Sequence, residues 1–414
     1  MSRLAVVLFN LGGPDRPQAV APFLVNLFSD PAILRLPQPW RGALARFIAW
    51  RRGKAAQTIY AKLGGGSPLL ANTQAQAAAL EARLQDPGRE VRVFVAMRYW
   101  HPFSDEAAAA VARFQPEQVL LLPLYPQYST TTTASSFEAW RAAAAKAKVA
   151  APSRLVCCYP TEPGFIAALA ELTRKGLENA LALKAGKPAV IFTAHGLPER
   201  IVKAGDPYVE HVRATCHGVA AALGLGQGDW ELGFQSRVGP LAWIGPATDE
   251  LIVEAGGAKK AILLVPVSFV SEHSETLVEL DMDYAKLADE RGAAGYIRVP
   301  TVGTHPAFIA GLQRRKIPHE AAPVAHLRAV VRPLRHCLGR DRGARADNLN
   351  GGDAGWRTAL RRAKEGPGLP DLVNARRHWP TPMRAATRAA VRSSSESMYR
   401  ALTPRSCSQR RADS

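Results

Sequence analysis

Short apolar segments alternate with longer, alanine-rich segments from residue 1 to about residue 313. Apolar runs of this kind predict buried β-strands, and the longer segments with helical spacing predict helices. The alternation is typical of α/β proteins with parallel sheets. Strands are predicted at residues 5–9, 91–97, 119–122, 154–158, 189–192, 230–234, 261–265 and 296–299. Predicted helices between them include residues 73–85, 105–114, 164–183 and 207–223.

The predicted strands fall into two groups of four, separated by a pattern-free stretch at residues 146–153. This grouping predicts two doubly wound halves, because parallel strands need helical crossovers to connect them. We expect a first domain at residues 1–150, a second domain at residues 151–313 and a tail at residues 314–414.

Most of the excess positive charge lies in the tail. A formal net charge of +18 would ordinarily indicate nucleic acid or an acidic membrane as a partner. Residues 314–414 are rich in Arg, Pro, Gly and Ser without an apolar period, whereas the preceding part of the chain is nearly neutral. Such a tail is typical either of a disordered arm that binds polyanions or of a shifted reading frame in a GC-rich gene. We therefore place neither the fold nor the chemistry there, and expect no nucleic-acid partner.

Cysteine usage and apolar segment length exclude several classes of protein. The 5 cysteines form no C-x-x-C pair, which indicates reduced thiols rather than a disulfide framework or a zinc site. No apolar run approaches the ~18 residues that a membrane-spanning helix needs. The N-terminus passes directly into the first apolar run and lacks the features of a secretory signal. We expect a cytoplasmic enzyme.

An acidic segment follows the predicted strand at residues 261–265. If a helix begins near Glu272, then Glu275, Glu279 and Asp283 lie at i, i+4 and i+8 and share one helical face. A solvated acidic face is the simpler interpretation, since charged runs usually face water. However, the segment begins at the carboxyl end of a strand, where α/β sheets bind ligands. Stacked carboxylates with His273 nearby would suit a divalent cation.

The loops after the other predicted strands also carry unusual polar and aromatic residues. His195 could be a hydrogen-bonded structural histidine, or it could be aimed into a cleft by its tight turn. Arg98 could be an ordinary ion-pair partner, or a cation set among aromatic rings for a flat, anionic ligand. Trp243 and Phe269 could simply belong to the core. The glycines at residues 64–66 are not followed by the Lys of a phosphate-binding loop, so a nucleotide site is disfavoured.

Seven short motifs occur along the chain after the predicted strands and in the loops. They are Leu11-Gly-Gly-Pro14, Gly64-Gly-Gly-Ser-Pro68, Arg98-Tyr-Trp-His-Pro102, Tyr125-Pro-Gln-Tyr-Ser129, Ala194-His-Gly-Leu-Pro198, Gln235-Ser-Arg-Val-Gly-Pro240 and Glu272-His-Ser-Glu-Thr-Leu277. Taken together, they resemble the motifs of the ferrochelatase family, which inserts ferrous iron into protoporphyrin IX to make haem. The resemblance runs from about residue 4 to about residue 310, in the family's order and spacing. The resemblance implies two similar Rossmann-like domains, each a four-stranded parallel sheet flanked by helices, with the porphyrin in the cleft between them.

The resemblance also implies roles for particular residues. His195 and Glu275 would be the catalytic pair, facing each other across the macrocycle, with His195 as the main proton acceptor. Metal would be handled by His195 and Glu275, and delivered by Glu279 and Asp283. Porphyrin contacts are implied for Leu11, Arg98, Tyr99, Tyr125, Trp243, Phe269 and His273, and Leu11 favours protoporphyrin over coproporphyrin.

Two further regions are interpreted through the resemblance. Residues 22–28 and 33–52 resemble a hydrophobic lip, whose apolar side chains and arginines would suit peripheral contact with the inner membrane surface. A [2Fe–2S] cluster is not expected, because Thr130 occupies the position of the family's mid-chain cysteine ligand, and Cys337 and Cys407 are far apart in sequence. Iron is then a substrate, no cofactor is permanently bound, and the protein is expected to be a monomer. The family's closing helix loses its pattern near residue 313, which would weaken packing against the first domain.

Three other functions are compatible with parts of the pattern. A chelatase for another metal or tetrapyrrole, such as cobalt and sirohydrochlorin, would lack the motifs that begin at Arg98 and Gln235. A tetrapyrrole-binding or haem-carrying protein would bind porphyrin without inserting metal. A polyanion-binding protein would use the arginine-rich tail and bind in a salt-dependent manner.

Overall fold

The eight apolar runs form eight β-strands in a computed structural model, which describes residues 2–237 and 241–314. Each half of this part of the chain contains a four-stranded parallel sheet. The strands are β1 (Ser2–Asn10), β2 (Arg89–Met97), β3 (Gln118–Pro123), β4 (Ser153–Leu155), β5 (Ala189–His195), β6 (Trp230–Gln235), β7 (Ala261–Pro266) and β8 (Gly295–Arg298). The predicted fold class of two similar four-stranded parallel sheets is confirmed.

The two sheets have equivalent topology. Their strand orders are β2-β1-β3-β4 and β6-β5-β7-β8. In each sheet, the strand that comes first in the chain pairs with the second strand on one side and with the third on the other. The strand order therefore changes direction at this first strand. Loops at such a reversal leave a crevice at the carboxyl edge of the sheet. The residues that follow β1 and β5 therefore stand at the natural binding position of each half.

Helices surround both sheets. They are α1 (Val20–Phe28), α2 (Trp40–Ala61), α3 (Leu69–Leu84), α4 (Ser104–Phe114), α5 (Thr133–Lys146), α6 (Pro163–Ala182), α7 (Glu199–Lys203), α8 (Tyr208–Leu223), α9 (Thr248–Gly257), α10 (Tyr284–Glu290) and α11 (Pro306–Arg314). A 3-10 turn at Pro17–Ala19 precedes α1, and a π-helix at Glu275–Asp283 precedes α10. The helix expected from the acidic segment thus begins with i→i+5 hydrogen bonding instead of regular α geometry.

The two halves share a hydrophobic core. One cluster of buried side chains includes Leu8 of β1 and Leu80 of α3 together with Phe165 of α6, Val265 of β7 and Phe308 of α11. Burial of these large apolar groups is the main source of stability in an assembly of this kind. Both sheets belong to one compact unit.

Side-chain amides from the first half fasten the loop that leads from β7 to the π-helix. The Nδ2 atom of Asn72 donates to the Glu272 carbonyl at 2.9 Å, and the Nε2 atom of Gln76 donates to the Val270 carbonyl at 2.8 Å. Gln127 Nε2 donates to the Val267 carbonyl at 3.0 Å. Buried carbonyl groups are costly unless they are hydrogen-bonded. The first half therefore helps to determine the path of a loop that belongs to the second.

The closing helix α11 packs against both α3 and α6. Gln313 Nε2 donates to the Arg83 carbonyl at 2.7 Å, and Arg314 Nη2 pairs with the buried Glu162 carboxylate at 2.8 Å. The expected loss of pattern near residue 313 therefore does not prevent packing against the first half up to Arg314. The predictions about the tail, including Cys337 and Cys407, lie outside the described residues. Among the described helices, none is long and apolar enough to cross a membrane.

Candidate active site

Three neighbouring strands bring the polar groups of the second half to one edge of its sheet. His195 is the last residue of β5, Ser236 follows β6 directly, and Glu275 begins the π-helix after β7. In the parallel register His195 lies opposite Gln235, one residue before Ser236. Because the carboxyl ends of parallel strands share an edge, residues that are 41 and 80 positions apart in sequence become neighbours.

His195 and Glu275 are in direct contact. The Nδ1 atom of His195 lies 2.8 Å from Oε2 of Glu275. Because an ionised carboxylate can only accept, Nδ1 carries the proton of this hydrogen bond. The expectation that the two groups face each other across the macrocycle is wrong, since a porphyrin ring cannot lie between atoms this close. Both groups instead belong to one side of the site.

Ser236 connects this pair to a second carboxylate. Its hydroxyl lies 3.2 Å from Oε2 of Glu275 and 2.5 Å from Oε2 of Glu279, and its backbone N–H donates to Oε1 of Glu279 at 3.0 Å. The Tyr284 hydroxyl donates to the same Oε1 at 3.2 Å. Ser236 has a left-handed backbone with φ of 58°, which is uncommon for a residue other than Gly and often marks a functional site. A continuous hydrogen-bond chain therefore runs from His195 through Glu275 and Ser236 to Glu279.

The π-helix separates the predicted acidic ladder into two environments. Glu275 and Glu279 share Ser236, whereas Asp283 forms an ion pair with Lys62 of the first half at 3.3 Å, and both of those side chains are exposed. Short π-helical segments are rare and often occur at functional sites. Within residues 2–237 and 241–314, no group of three or more His, Cys, Asp or Glu side chains is preassembled to hold a metal ion.

The close contacts change the proton affinities of the three titratable groups. Burial lowers the pKa of His195, but the nearby Glu275 and Glu279 carboxylates more than offset this and raise it above its usual value. Burial raises the pKa of Glu275, yet His195 and then His273 outweigh burial and hold that pKa well below its usual value. Burial, followed by the charge of Glu275, raises the pKa of Glu279 to about 7. Two carboxylates that share a small site ionise at different pH values for this reason.

His273 and Phe269 lie next to the pair. The Nε2 atom of His273 is 3.8 Å from Oε1 of Glu275, and the His273 ring centroid lies 4.8 Å from that of Phe269. His273 is 7% exposed, and its Nδ1 atom is buried without a hydrogen-bond partner. His273 is therefore close enough to Glu275 to belong to the same site, and Phe269 packs against His273.

A second cluster reaches the site from the first half. Leu11 and Tyr99 pack with Tyr60 in one hydrophobic cluster. The Tyr60 hydroxyl lies 3.5 Å from Oγ of Ser274, the residue immediately before Glu275. Burial, and to a smaller degree the Glu275 charge, raises the pKa of Tyr60. The structure thus joins the predicted porphyrin contacts Leu11 and Tyr99 to the His195–Glu275 pair through Tyr60.

Arg98 is held by a buried carboxylate. Its Nη2 atom pairs with Oδ2 of Asp30 at 2.8 Å, and its Nε donates to the Ser135 hydroxyl at 2.7 Å. The Tyr99 hydroxyl donates to the same Asp30 oxygen at 2.8 Å, and Tyr99 is 1% exposed. The ion-pair interpretation of Arg98 is confirmed, although 22% of its side chain is still exposed. Tyr99 is a buried support for Arg98, with the guanidinium carbon 5.0 Å from its ring centroid.

Tyr125 contacts Ser136 in the first half, and Trp243 lies beside the turn that carries His195. The Tyr125 hydroxyl is 3.4 Å from Oγ of Ser136, and Tyr125 is half-buried. Trp243 forms a bridge with Pro198 and packs beside Gly196, the residue after His195. A Cβ atom on Gly196 would lie 2.9 Å from the Gln235 carbonyl, so glycine is needed for this close approach. Trp243 therefore helps to fix the turn that carries His195.

Comparison with known proteins shows the family of the chain. A profile for ferrochelatase matches residues 3–318. The ferrochelatase of Caulobacter vibrioides (strain NA1000 / CB15N) is 55% identical over 317 residues, covering 75% of this chain and 89% of that protein. That of Phenylobacterium zucineum (strain HLK1) is 53% identical over 315 residues, with 75% and 89% covered.

The chain belongs to the ferrochelatase family.

Among solved structures, "SirB from Bacillus subtilis with Fe3+" is similar, with a TM-score of 0.45 and 11% identity over 76% of this chain and 94% of that chain. That likeness is too distant to carry an argument about the site.

Membership of the ferrochelatase family confirms the predicted enzyme class. The family is a class of lyases that insert iron into protoporphyrin in haem synthesis, so porphyrin and iron are the substrates. Iron is accordingly a substrate of the family's reaction.

Several residues of the site were missed by sequence reasoning. Ser236 was quoted only as part of a motif, and its role as a bridge between carboxylates depends on a left-handed backbone that the sequence does not reveal. Asp30 lies between the two segments of the lip, far in sequence from its partners Arg98 and Ser135. Tyr60 and Tyr284 each lie near the end of an element. One sequence signal could have pointed to some of these residues: side chains with hydroxyl groups occur repeatedly near the predicted site residues in the sequence.

Replacing Glu279 by Gln should remove a pH-dependent part of the folding stability. The pKa of Glu279 is about 7 in the folded protein, compared with its usual value of 4.5. Between these values the folded protein binds more protons than the unfolded chain, so this contribution is present below 4.5 and is lost as pH rises through 7. From about pH 5 to about pH 8, the free energy of unfolding of the wild type, measured in urea, should fall by on the order of 1–2 kcal/mol relative to that of Glu279→Gln. The exposed control Glu178→Gln should follow the wild type, and parallel curves for wild type and Glu279→Gln would contradict the assignment.

Proposed function

We propose that this chain inserts Fe²⁺ into protoporphyrin IX and releases two protons to form protohaem, with His195, Glu275 and Glu279 as the reacting side chains. The observation that supports it most is the hydrogen-bond chain from His195 through Glu275 and Ser236 to Glu279. A porphyrin must lose two pyrrole N–H protons as the metal enters. A site for this reaction needs groups that accept protons beside groups that bind a hard cation, and the chain of hydrogen bonds offers both.

The imidazole of His195 has one nitrogen available for the substrate. Its Nδ1–H donates to Glu275, which fixes the tautomer of the neutral ring and leaves Nε2 as an acceptor. The His195 side chain is 40% exposed, so solvent or a ligand can reach it. Nε2 would accept a pyrrole proton, and the Glu275 carboxylate would stabilise the resulting imidazolium. His195 is therefore our main proton acceptor.

Glu275 and Glu279 provide oxygen ligands on the same side of the site as His195. Glu275 is ionised at neutral pH because His195 and His273 lower its pKa. Glu279, with a pKa of about 7, can hold a proton or release it near neutral pH. Iron delivery would therefore begin at Glu275 and Glu279, whose charges depend on the charged groups beside them.

The first half would grip the porphyrin. Leu11 and Tyr60 supply apolar surface, and Arg98 would attract a propionate with the part of its side chain that is exposed. A grip that favours a ring distorted out of its plane would expose nitrogen lone pairs to the metal, and would thus stabilise the transition state more than the flat substrate. Tyr125, Trp243, Phe269 and His273 complete the proposed porphyrin contacts.

Replacing His195 by Ala should abolish insertion while leaving porphyrin binding nearly intact. Loss of a positioned general base typically lowers turnover by about 10²–10⁴-fold. An anaerobic assay of Fe²⁺ or Zn²⁺ insertion, with porphyrin binding followed by fluorescence quenching, measures both quantities. His217→Ala, which removes an exposed histidine packed on Trp230, is the matched control. Wild-type turnover by His195→Ala would refute the assigned role.

Glu279 and Asp283 should contribute unequally to the metal requirement. Glu279→Gln removes a carboxylate that shares Ser236 with Glu275, and should raise the KM for the metal by about tenfold, with a smaller effect on the KM for porphyrin. Asp283→Asn removes only an exposed ion pair with Lys62 and should have a smaller effect on the metal KM. A larger metal effect for Asp283→Asn, or a larger porphyrin effect for Glu279→Gln, would count against the delivery route.

The lip is proposed to contact the surface of a membrane. Trp40, Phe47 and Trp50 of α2 are 70%, 55% and 75% exposed. The same helix has arginines but no acidic side chain. Exposed aromatic rings together with cationic side chains are suited to the headgroup region of anionic lipids. A porphyrin, which is poorly soluble in water, could then enter from the membrane surface.

Trp40→Ala combined with Trp50→Ala should weaken sedimentation of the protein with vesicles of anionic and zwitterionic phospholipid. The loss follows from the apolar area that no longer enters the headgroup region. Leu181→Ala combined with Leu183→Ala alters exposed leucines at the end of α6 and just beyond it, and should bind like the wild type. Equal binding by both double variants would contradict membrane contact through α2.

A further inference from the structure

The edge strand β8 reaches the π-helix with two side chains. Tyr296 and Arg298 are two residues apart on β8 and so point to the same face of the sheet. The Tyr296 hydroxyl donates to the Leu280 carbonyl at 2.5 Å. Arg298 bonds to side chains at both ends of the same segment.

Arg298 joins two carboxylates that flank Glu275 and Glu279 in sequence. Its Nε and Nη2 atoms donate to the two carboxylate oxygens of Asp281 at 2.6 and 2.5 Å, and its Nη1 donates to Oε1 of Glu272 at 2.7 Å. The Thr301 backbone N–H donates to the same Glu272 oxygen at 2.9 Å. The Arg298 side chain is 9% exposed. A planar guanidinium that is bound on two edges fixes the relative position of its partners.

The two carboxylates that Arg298 binds lie on either side of Glu275 and Glu279 in the sequence. Glu272 lies in the loop just before the π-helix, and Asp281 lies near the end of the π-helix. The Tyr284 backbone N–H bonds to the Glu279 carbonyl, which is the i→i+5 connection of this segment. Because i→i+5 winding is rare compared with α-helix, a segment of this type needs contacts that favour it. A clamp from residue 272 to residue 281 spans both Glu275 and Glu279.

We propose that Arg298 is a positioning residue for the metal-handling carboxylates, and that it does so by clamping Glu272 to Asp281 and thereby holding the π-helical segment between them. This inference deepens the proposed function and rests on it. Arg298 does not contact Glu275 or Glu279 in any hydrogen bond described here, so its effect passes through the backbone of the segment. If the clamp is released, the segment can relax toward α winding. Glu279 would then move relative to Ser236 and Glu275, and the shared hydrogen bonds would be lost.

A general role in folding is the competing explanation. A buried ion pair often contributes little net stability compared with apolar side chains of similar size. If the clamp serves only stability, breaking it should lower the melting temperature without a selective effect on the metal KM. If the clamp positions Glu275 and Glu279, breaking it should raise the metal KM and leave porphyrin binding almost unchanged. The two explanations therefore differ in a measurable way.

The test compares Arg298→Lys with Val111→Ala in the full-length protein. Lysine keeps the charge but cannot bond both carboxylates in this geometry. Val111 is fully buried in α4 of the first half, so its truncation lowers stability far from the π-helix. In anaerobic insertion assays, Arg298→Lys should raise the KM for Fe²⁺ or Zn²⁺ by about tenfold. Its KM for protoporphyrin, and both KM values of Val111→Ala, should stay near those of the wild type.

Two further measurements keep the inference testable. Asp281→Asn breaks the bidentate bond but leaves Glu272 paired, so it replaces Arg298→Lys if that variant does not fold. In a double-mutant cycle, the effects of Arg298→Lys and Asp281→Asn on the metal KM should be less than additive, because both act on one contact. Full additivity would overturn the clamp, and so would an unchanged metal KM in the presence of a lowered melting temperature.

Hydrogen exchange separates a failure of this inference from a failure of the proposed function. The Tyr284 amide should exchange faster in Arg298→Lys than in Val111→Ala at matched melting temperatures. If the wild type inserts no metal, the proposed function fails, while faster exchange still supports a clamp on the segment. If the wild type inserts metal and exchange is the same in both variants, the clamp fails alone.

Discussion

The contact between His195 and Glu275 is the interaction on which the site depends. It needs an imidazole from the end of β5 and a carboxylate from the segment after β7 to meet at one sheet edge. Parallel pairing of β5 with both β6 and β7 supplies that meeting, and Ser236 then extends it to Glu279. A charged carboxylate removed from water is costly unless it is paired and hydrogen-bonded. The surrounding elements can therefore be understood as the supports of a small, charged and hydrogen-bonded cluster.

Hydrophobic pattern alone predicts the fold well, because strands buried on both faces must be continuous apolar runs. The runs at 261–265 and 189–192 both became central strands, and His195 proved to be the last residue of its strand. The edge strand at 154–158 was predicted too long and ends at Leu155. An edge strand has one partner, and β4 pairs with β3 over only three residues. Val156 packs on the core, and its N–H still donates to the Leu121 carbonyl at 2.9 Å, so the apolar pattern extends just beyond the end of β4.

The site was predictable as a set of residues, but its arrangement was not. Carboxylates and a histidine after strand ends indicate a site, and the motifs tie them to one family. His195 and Glu275 lie on the same side of the site because of the directions of their side chains. Sequence spacing does not predict those directions. The ladder of Glu275, Glu279 and Asp283 assumed α-helical winding, whereas the segment is a π-helix, and Lys62 from the other half draws Asp283 away. Contacts across hundreds of positions, such as Lys62 with Asp283, leave no local signal.

The cluster also suggests why metal entry and proton release occur together. Oε2 of Glu275 is engaged by His195 Nδ1–H and the Ser236 hydroxyl, and the oxygens of Glu279 are engaged by Ser236 and Tyr284. A cation that approaches these oxygens competes with hydrogen-bond donors and, near neutral pH, with a proton on Glu279. Metal binding to such ligands releases protons and weakens as pH falls. The reaction itself frees two pyrrole protons. The proposed site would therefore combine groups that take up protons with groups that bind a cation, and metallation of a porphyrin requires both.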